Sequence, residues 1–137
     1  MKRYVLDACA LIALINDEKG ADMVERLLVE ASVGRCNISM NKFNLLEVYY
    51  GYFRSNGEDF AENILNIIGN SGIRIYDTLS DDLFRQAGIF KASYKISLAD
   101  AVALAQAYTE NAMLVTADHH ELDAVEKDGK LGFYWLR

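Results

Sequence analysis

The chain has 137 residues, 52% of them apolar and 25% charged, which fits one soluble globular domain (residues 1–137) and excludes a disordered tail. Twenty acidic residues against 14 basic ones give a formal charge of −6, which excludes a generic polyanion binder relying on Lys and Arg. That sign leaves room for a nuclease whose positive charge is a bound cation, and for a basic protein partner.

KRYVL at the N-terminus is a short strand-type run, followed by a helical stretch from about Ala8 to Ile15. Lys2 and Arg3 before ACALIALI resemble the start of a secretory leader, but Asp7 interrupts the apolar run. It also ends at Asn16-Asp17-Glu18-Lys19 without a small-residue cleavage site. No segment approaches the ~18 apolar residues of a spanning helix. Cys9 and Cys36 read as reduced core residues, and the chain is expected to be cytoplasmic.

After the NDEKGAD break, MVERLLVEA has helical spacing and CNISM is short and extended. Asn41 then caps a helix running to about Phe53, with an apolar stripe of Phe43, Leu46, Tyr50 and Phe53. SNGED reads as a turn, and FAENILNIIG as a helix ended by Gly69 and Gly72. IRIYD is a third strand, SDDLFRQAGIFKASY a helix, and SLADAVALAQAYTE a helix apolar nearly all round, hence packed on more than one side. AMLVT, HHELDAVEK and GFYWL complete the chain as strand, short helix and strand. Strands separated by helices predict an α/β fold with a parallel sheet of about five strands covered on both faces.

Four acids sit in locally apolar stretches: Asp7 in YVLDACAL, Glu47 in FNLLEVYY, Asp100 in SLADAVALA and Asp118 in LVTADHH. Carboxylates are rarely buried unpaired, and no Lys or Arg lies within three residues of Glu47, Asp100 or Asp118. Asp7 follows the first strand and Asp118 the fourth, so both belong to the carboxyl edge of the sheet, where ligands bind in such folds. Asp100 is in the first turn of its helix, and Glu47 flanks the apolar stripe of its own. Two carboxylates ~5 Å apart repel by roughly 3 kcal/mol at an effective dielectric near 20, so converging acids take up protons or bind a cation. An all-oxygen set suits Mg²⁺ or Mn²⁺ better than Zn²⁺, and a cation held there can polarise a phosphodiester and activate water.

Each acid also has a plainer explanation. Asp7 and Asp118 can cap the helices that follow them, and Ser97 with Asp100 matches a capping box. Glu47 is not a cap, which makes it the most diagnostic of the four. His119 and His120 point to different sides of a helix and default to surface residues. The Tyr49, Tyr50, Tyr52 and Phe53 cluster reads as core or protein-interface packing before an RNA platform, and Lys42, Arg85, Lys91 and Lys95 as a solvated face.

These segments together, YVLDACALIALI, NLLEVYYG, SLADAVALAQA and Thr116-Ala117-Asp118, resemble the PIN-domain nucleases, specifically the short toxin ribonucleases of VapC type, over essentially the whole chain. The resemblance implies a three-layer PIN fold and an Mg²⁺- or Mn²⁺-dependent endoribonuclease. Its acidic site would be Asp7, Glu47, Asp100 and Asp118, with Asp7, Asp100 and Asp118 as the metal ligands and Glu47 acting on the nucleophilic water. It also implies a homodimer, an antitoxin partner, an RNA substrate and a supporting hydroxyl at Thr116. Cys9 stands where the family usually has Ser or Thr, a poorer donor for support of Asp7. The last acidic position varies in the family, and Glu121 and Asp123 both qualify. The alternatives are an RNA-processing PIN nuclease that is not a toxin and an inactive PIN-like binding module. A phosphorylation-controlled receiver domain fits poorly, because Ala8 follows Asp7 and Lys130 precedes its strand.

Overall fold

The computed structural model describes residues 1–137. Five strands, β1 (Lys2–Leu6), β2 (Cys36–Asn41), β3 (Arg74–Tyr76), β4 (Met113–Thr116) and β5 (Phe133–Trp135), form one sheet in the order β3-β2-β1-β4-β5. Every pairing is parallel, with Val5 opposite Ser39 on one side and Leu114 on the other. Seven helices connect and cover the strands: α1 (Ala8–Ile15), α2 (Ala21–Ser32), α3 (Lys42–Asn56), α4 (Glu58–Gly69), α5 (Asp81–Ser93), α6 (Leu98–Thr109) and α7 (His119–Lys127). This is the expected α/β architecture.

Strand residues alternate between two cores, as a two-residue period requires. Tyr4, Leu6, Ile38, Met40 and Val115 enter the core beneath α1–α4, whereas Val5 and Leu114 enter the one beneath α5–α7. Helix α6 is the most enclosed: Ala99, Ala101, Val102, Ala103, Leu104, Ala105 and Ala107 are buried, and the five alanines among them let it lie close on the sheet. From this helix the buried Gln106 donates from Nε2 to Ser39 Oγ at 3.1 Å, and Ser39 Oγ in turn donates to Glu110 Oε2 at 3.3 Å, so the buried hydroxyl of β2 is satisfied.

The chain end is tied to the α1–α2 turn. Gly20 has φ of 101°, and a Cβ there would sit 2.6 Å from Leu136 Cβ, so both its conformation and its packing demand glycine. Arg137 donates to the Lys19 carbonyl at 2.7 Å and to Glu18 Oε1 at 3.2 Å.

Two expectations need correction. The predicted stripe of α3 faces solvent: Phe43, Leu46, Tyr50 and Phe53 are 41%, 53%, 48% and 44% exposed. The core is met instead by Asn44, Leu45, Val48 and Tyr52, a second stripe one position away. The turn read in SNGED shrinks to Gly57, whose φ of 89° breaks the helix alone, so α3 runs on to Asn56 and α4 starts at Glu58.

Candidate functional site

The sheet grows from β1 to β2 and β3 on one side and to β4 and β5 on the other. That reversal makes the β1/β4 junction the switch point of the sheet, where an open α/β fold leaves a crevice at its carboxyl edge. Asp7 and Asp118 emerge there side by side. Asp7 is 2% exposed, and its Oδ1 caps α1 by accepting from Ala10 N at 2.8 Å. Its Oδ2 is buried without a hydrogen-bond partner. Burial above all pushes this carboxyl up to about 7, the charges of Asp118 and Glu47 adding to it and the Thr116 hydroxyl and Ala10 N–H opposing.

Asp118 caps α7, with Oδ1 accepting from Glu121 N at 3.3 Å, and its own N–H donates to the buried Thr116 Oγ1 at 3.1 Å. Asp100 is placed by the Ser97 cap of α6, whose Oγ accepts from Asp100 N at 3.1 Å. The reciprocal arm of that capping box is supplied from another helix: Ser97 N donates to Glu121 Oε2 at 3.4 Å. The Asp100 carboxyl is therefore left to the cluster. Oxygens of Asp100, Asp118 and Glu121 lie within 4.8 Å of one another.

Asp100 and Glu121 act on one another in opposite directions. Burial first, and then the hydrogen bond to Glu121, push Asp100 up to about 8, and the same hydrogen bond from Asp100 holds Glu121 below its ordinary value. Glu47 is half-buried on α3, and burial raises it too, with the charge of Glu121 adding. Five acids thus act on one another at this edge: Asp7, Glu47, Asp100, Asp118 and Glu121.

Glu121 is the member that sequence spacing left undecided. Its signal was the pairing of Asp118 as cap with an acid three residues on, which sets Glu121 over the first turn of α7. Asp123, the other candidate, faces away and bonds His119 Nδ1 at 2.7 Å. Asn44 was not singled out at all. It is buried on α3 one turn before Glu47 and donates from Nδ2 to the Ala99 carbonyl at 2.9 Å, locking α3 to the start of α6. The Cys9 thiol is half-buried and directed to the backbone of Ala117, and burial pushes it up to about 11. Among the basic residues, Lys91 is used structurally, its Nζ donating to the Ile96 carbonyl at 2.6 Å.

The donor set fits a hard divalent cation. All its atoms are carboxylate oxygens, three of the acids are close enough to share one ion, and the orphaned Oδ2 of Asp7 is an acceptor waiting for positive charge. Acids at 4.8 Å or less repel by roughly 3 kcal/mol per pair at an effective dielectric near 20, a repulsion that the upward shift of Asp100 reflects and that a bound cation would relieve.

The PIN domain family model matches residues 4–128. No curated protein matches the chain by sequence. Among solved structures, the chain is similar to VapBC2 of Rickettsia felis bound to a promoter DNA fragment, at 20% identity and a TM-score of 0.73, over 96% of this chain and 97% of that one. VapBC-1 of nontypeable Haemophilus influenzae superposes at 18% identity and a TM-score of 0.73, over 98% of each chain. Mycobacterium tuberculosis VapC20, described as a sarcin-ricin loop-cleaving toxin, superposes at 17% identity and a TM-score of 0.68, over 88% and 94%. At these identities the likeness is one of fold.

Proposed function

The chain belongs to the PIN-domain family, and from that premise we propose that it is a divalent-cation-dependent endoribonuclease of VapC type, the toxin of a toxin–antitoxin pair, working as one domain over residues 1–137. The observation that carries the proposal is the set of converging acids at the switch point, with three carboxylates within 4.8 Å and a buried unpartnered Asp7 oxygen beside them.

Asp7, Asp100 and Asp118 would hold Mg²⁺ or Mn²⁺, joined by Glu121. When bound, such an ion neutralises these carboxylates and the charge that builds on the phosphodiester oxygens. Glu47, made more basic by burial, is placed to take a proton from the attacking water. As that water oxygen bonds to phosphorus, the bond to the leaving ribose oxygen breaks on the opposite side, and the leaving oxygen takes its proton from solvent. Thr116 would support the site through its hydroxyl, which accepts from Asp118 N, and Cys9 stands where a stronger donor would support Asp7.

The solved complexes that share the fold support an antitoxin partner, and the aromatic face of α3 and α4 around Tyr49, Phe53 and Phe60 is its surface in this reading. A second copy would take the apolar groove running from Phe43 and Leu46 past Leu79 to Phe84 and Leu98, giving a homodimer. No helix is long and apolar enough to cross a membrane.

The test is cleavage of structured RNA by purified protein with Mg²⁺, Mn²⁺ or EDTA. Cleavage should need the cation and vanish in Asp7→Asn with the circular dichroism spectrum unchanged. Full activity in a folded Asp7→Asn protein, or in EDTA, would sink the proposal.

A further inference from the structure

Phe133 and Trp135 are two apart on the edge strand β5, so their rings share a face, with centroids 5.2 Å apart and planes 9° from parallel. The stack continues onto α7, where the His119 ring lies on Trp135 at 3.8 Å and 14°. Each heterocycle is pinned at its edge. Trp135 Nε1 donates to Glu126 Oε2 at 2.8 Å, and His119 is bonded at Nδ1 to Asp123 (2.7 Å) and at Nε2 to the Arg137 carbonyl (2.6 Å). The His119 side chain is nonetheless 46% exposed. One face is on Trp135 and both nitrogens are engaged, so the exposed part is the other face and the carbon edge.

The stack ends beside the acids. Trp135 is paired in register with Thr116, and His119 follows Asp118 directly. The chain carries a net charge of −6, so beyond a bound cation a strand crossing this edge gains little from overall charge and needs another source of hold. A rigid ring with one open face is what single-stranded nucleic acid uses in such a case, because every base has a π-face to lay on it.

We propose that the open face of His119 is a stacking seat for an unpaired nucleobase of the RNA strand whose backbone crosses the acidic cluster. The proposal rests on the ribonuclease reading for its substrate, but its binding step needs no cleavage. Stacking recognises ring area before hydrogen-bonding pattern, so the seat favours purines and tolerates either one.

Trp135 is the only tryptophan, so its emission reports on this stack directly. The experiment titrates dye-labelled hexa-adenylate RNA into Asp7→Asn protein in EDTA, reading anisotropy for affinity and Trp135 emission for location. Saturable binding that shifts Trp135 emission is expected, weaker by roughly 10- to 100-fold for an oligomer abasic at all positions. His119→Ala should weaken hexa-adenylate binding by a similar factor, whereas His119→Phe, which keeps a ring but loses both hydrogen bonds, should retain most of it. Equal affinity for the abasic oligomer, or undiminished binding by His119→Ala, overturns the proposal. So does a loss in both variants that tracks a lowered melting temperature, which would make His119 a clamp on the chain end and nothing more. Metal-dependent RNA cleavage by the unmodified protein is measured separately. Cleavage without base-dependent binding removes the seat and leaves the nuclease, and base-dependent binding without cleavage does the reverse.

Discussion

Helices α6 and α3 each deliver one acid to the same cluster, yet they meet solvent in opposite ways. Helix α6 is buried along nearly its whole length, and Asp100 is fixed by the Ser97 cap at its start. Helix α3 turns four large apolar residues outward, and Glu47 projects from its interior with no cap to fix it. On the proposed reading, the acids that would hold the cation therefore stand on rigid scaffold, while Glu47, which would take the proton, stands on a helix held by a narrower core face and by Asn44. A partner docking on α3 would act on Glu47 before it acted on the other acids.

The contrast can be broken at several strengths. The largest effect should come from Asp100→Asn, which should lower RNA cleavage at least ~100-fold and weaken Mn²⁺ binding in calorimetry, whereas Glu47→Gln should lower cleavage comparably and leave Mn²⁺ affinity nearly unchanged. Equal loss of Mn²⁺ affinity in both would erase the division between the two helices. Next in size, Leu104→Ala in the buried α6 should cost about 2–5 kcal/mol in urea unfolding, while Leu46→Ala on exposed α3 should stay within about 0.5 kcal/mol for the isolated monomer. Ser97→Ala removes the cap of α6 and should cost about 1 kcal/mol, with a fall in Mn²⁺ affinity because Asp100 is no longer held.

The most gradual effect is on pH. Asp7 and Asp100 are raised from 3.8 to about 7 and about 8, so between those limits the folded chain holds protons that the unfolded chain releases. The contribution of these two carboxyls to metal-free stability should therefore be fully present below about pH 4 and decline as pH rises to about 8, with Glu121, held low, contributing in the opposite sense. Metal uptake should run the other way, strengthening over that window and releasing protons at pH 6, as calorimetry in buffers of different ionisation enthalpy would detect. A thermal melt insensitive to pH across this range would remove the upward shifts of Asp7 and Asp100.

The order of strands and helices was legible because most helix starts carry their own signal, as Asp7, Asn41, Ser80, Ser97 and Asp118 all accept the backbone N–H groups that cap residues take, with glycines marking the starts of α2 and α4. Which side of α3 faces the core was not, because that helix carries two apolar stripes and periodicity cannot rank them. Phe43, Leu46, Tyr50 and Phe53 formed the bulkier one, but the sheet took Leu45, Val48 and Tyr52. Glu121 was hidden for another reason. The Asp118 cap sets it in the first turn of α7, but its contact with Asp100 and the bond from Ser97 N come from another helix and are invisible to local spacing. Asn44 read as one more polar residue until the Ala99 carbonyl appeared beside it.

The strand order β3-β2-β1-β4-β5 carries a consequence for synthesis. A chain emerging from the ribosome can pair β1 with β2 and then β3 as each appears, but the other edge of β1 stays open until β4 arrives from the far end of the sequence. Until then Asp7 has no Asp118 beside it, and Asp100 has no Glu121 near it. On the ribonuclease reading, a chain that has not yet added β4 and α7 would therefore lack the assembled acidic cluster for a topological reason.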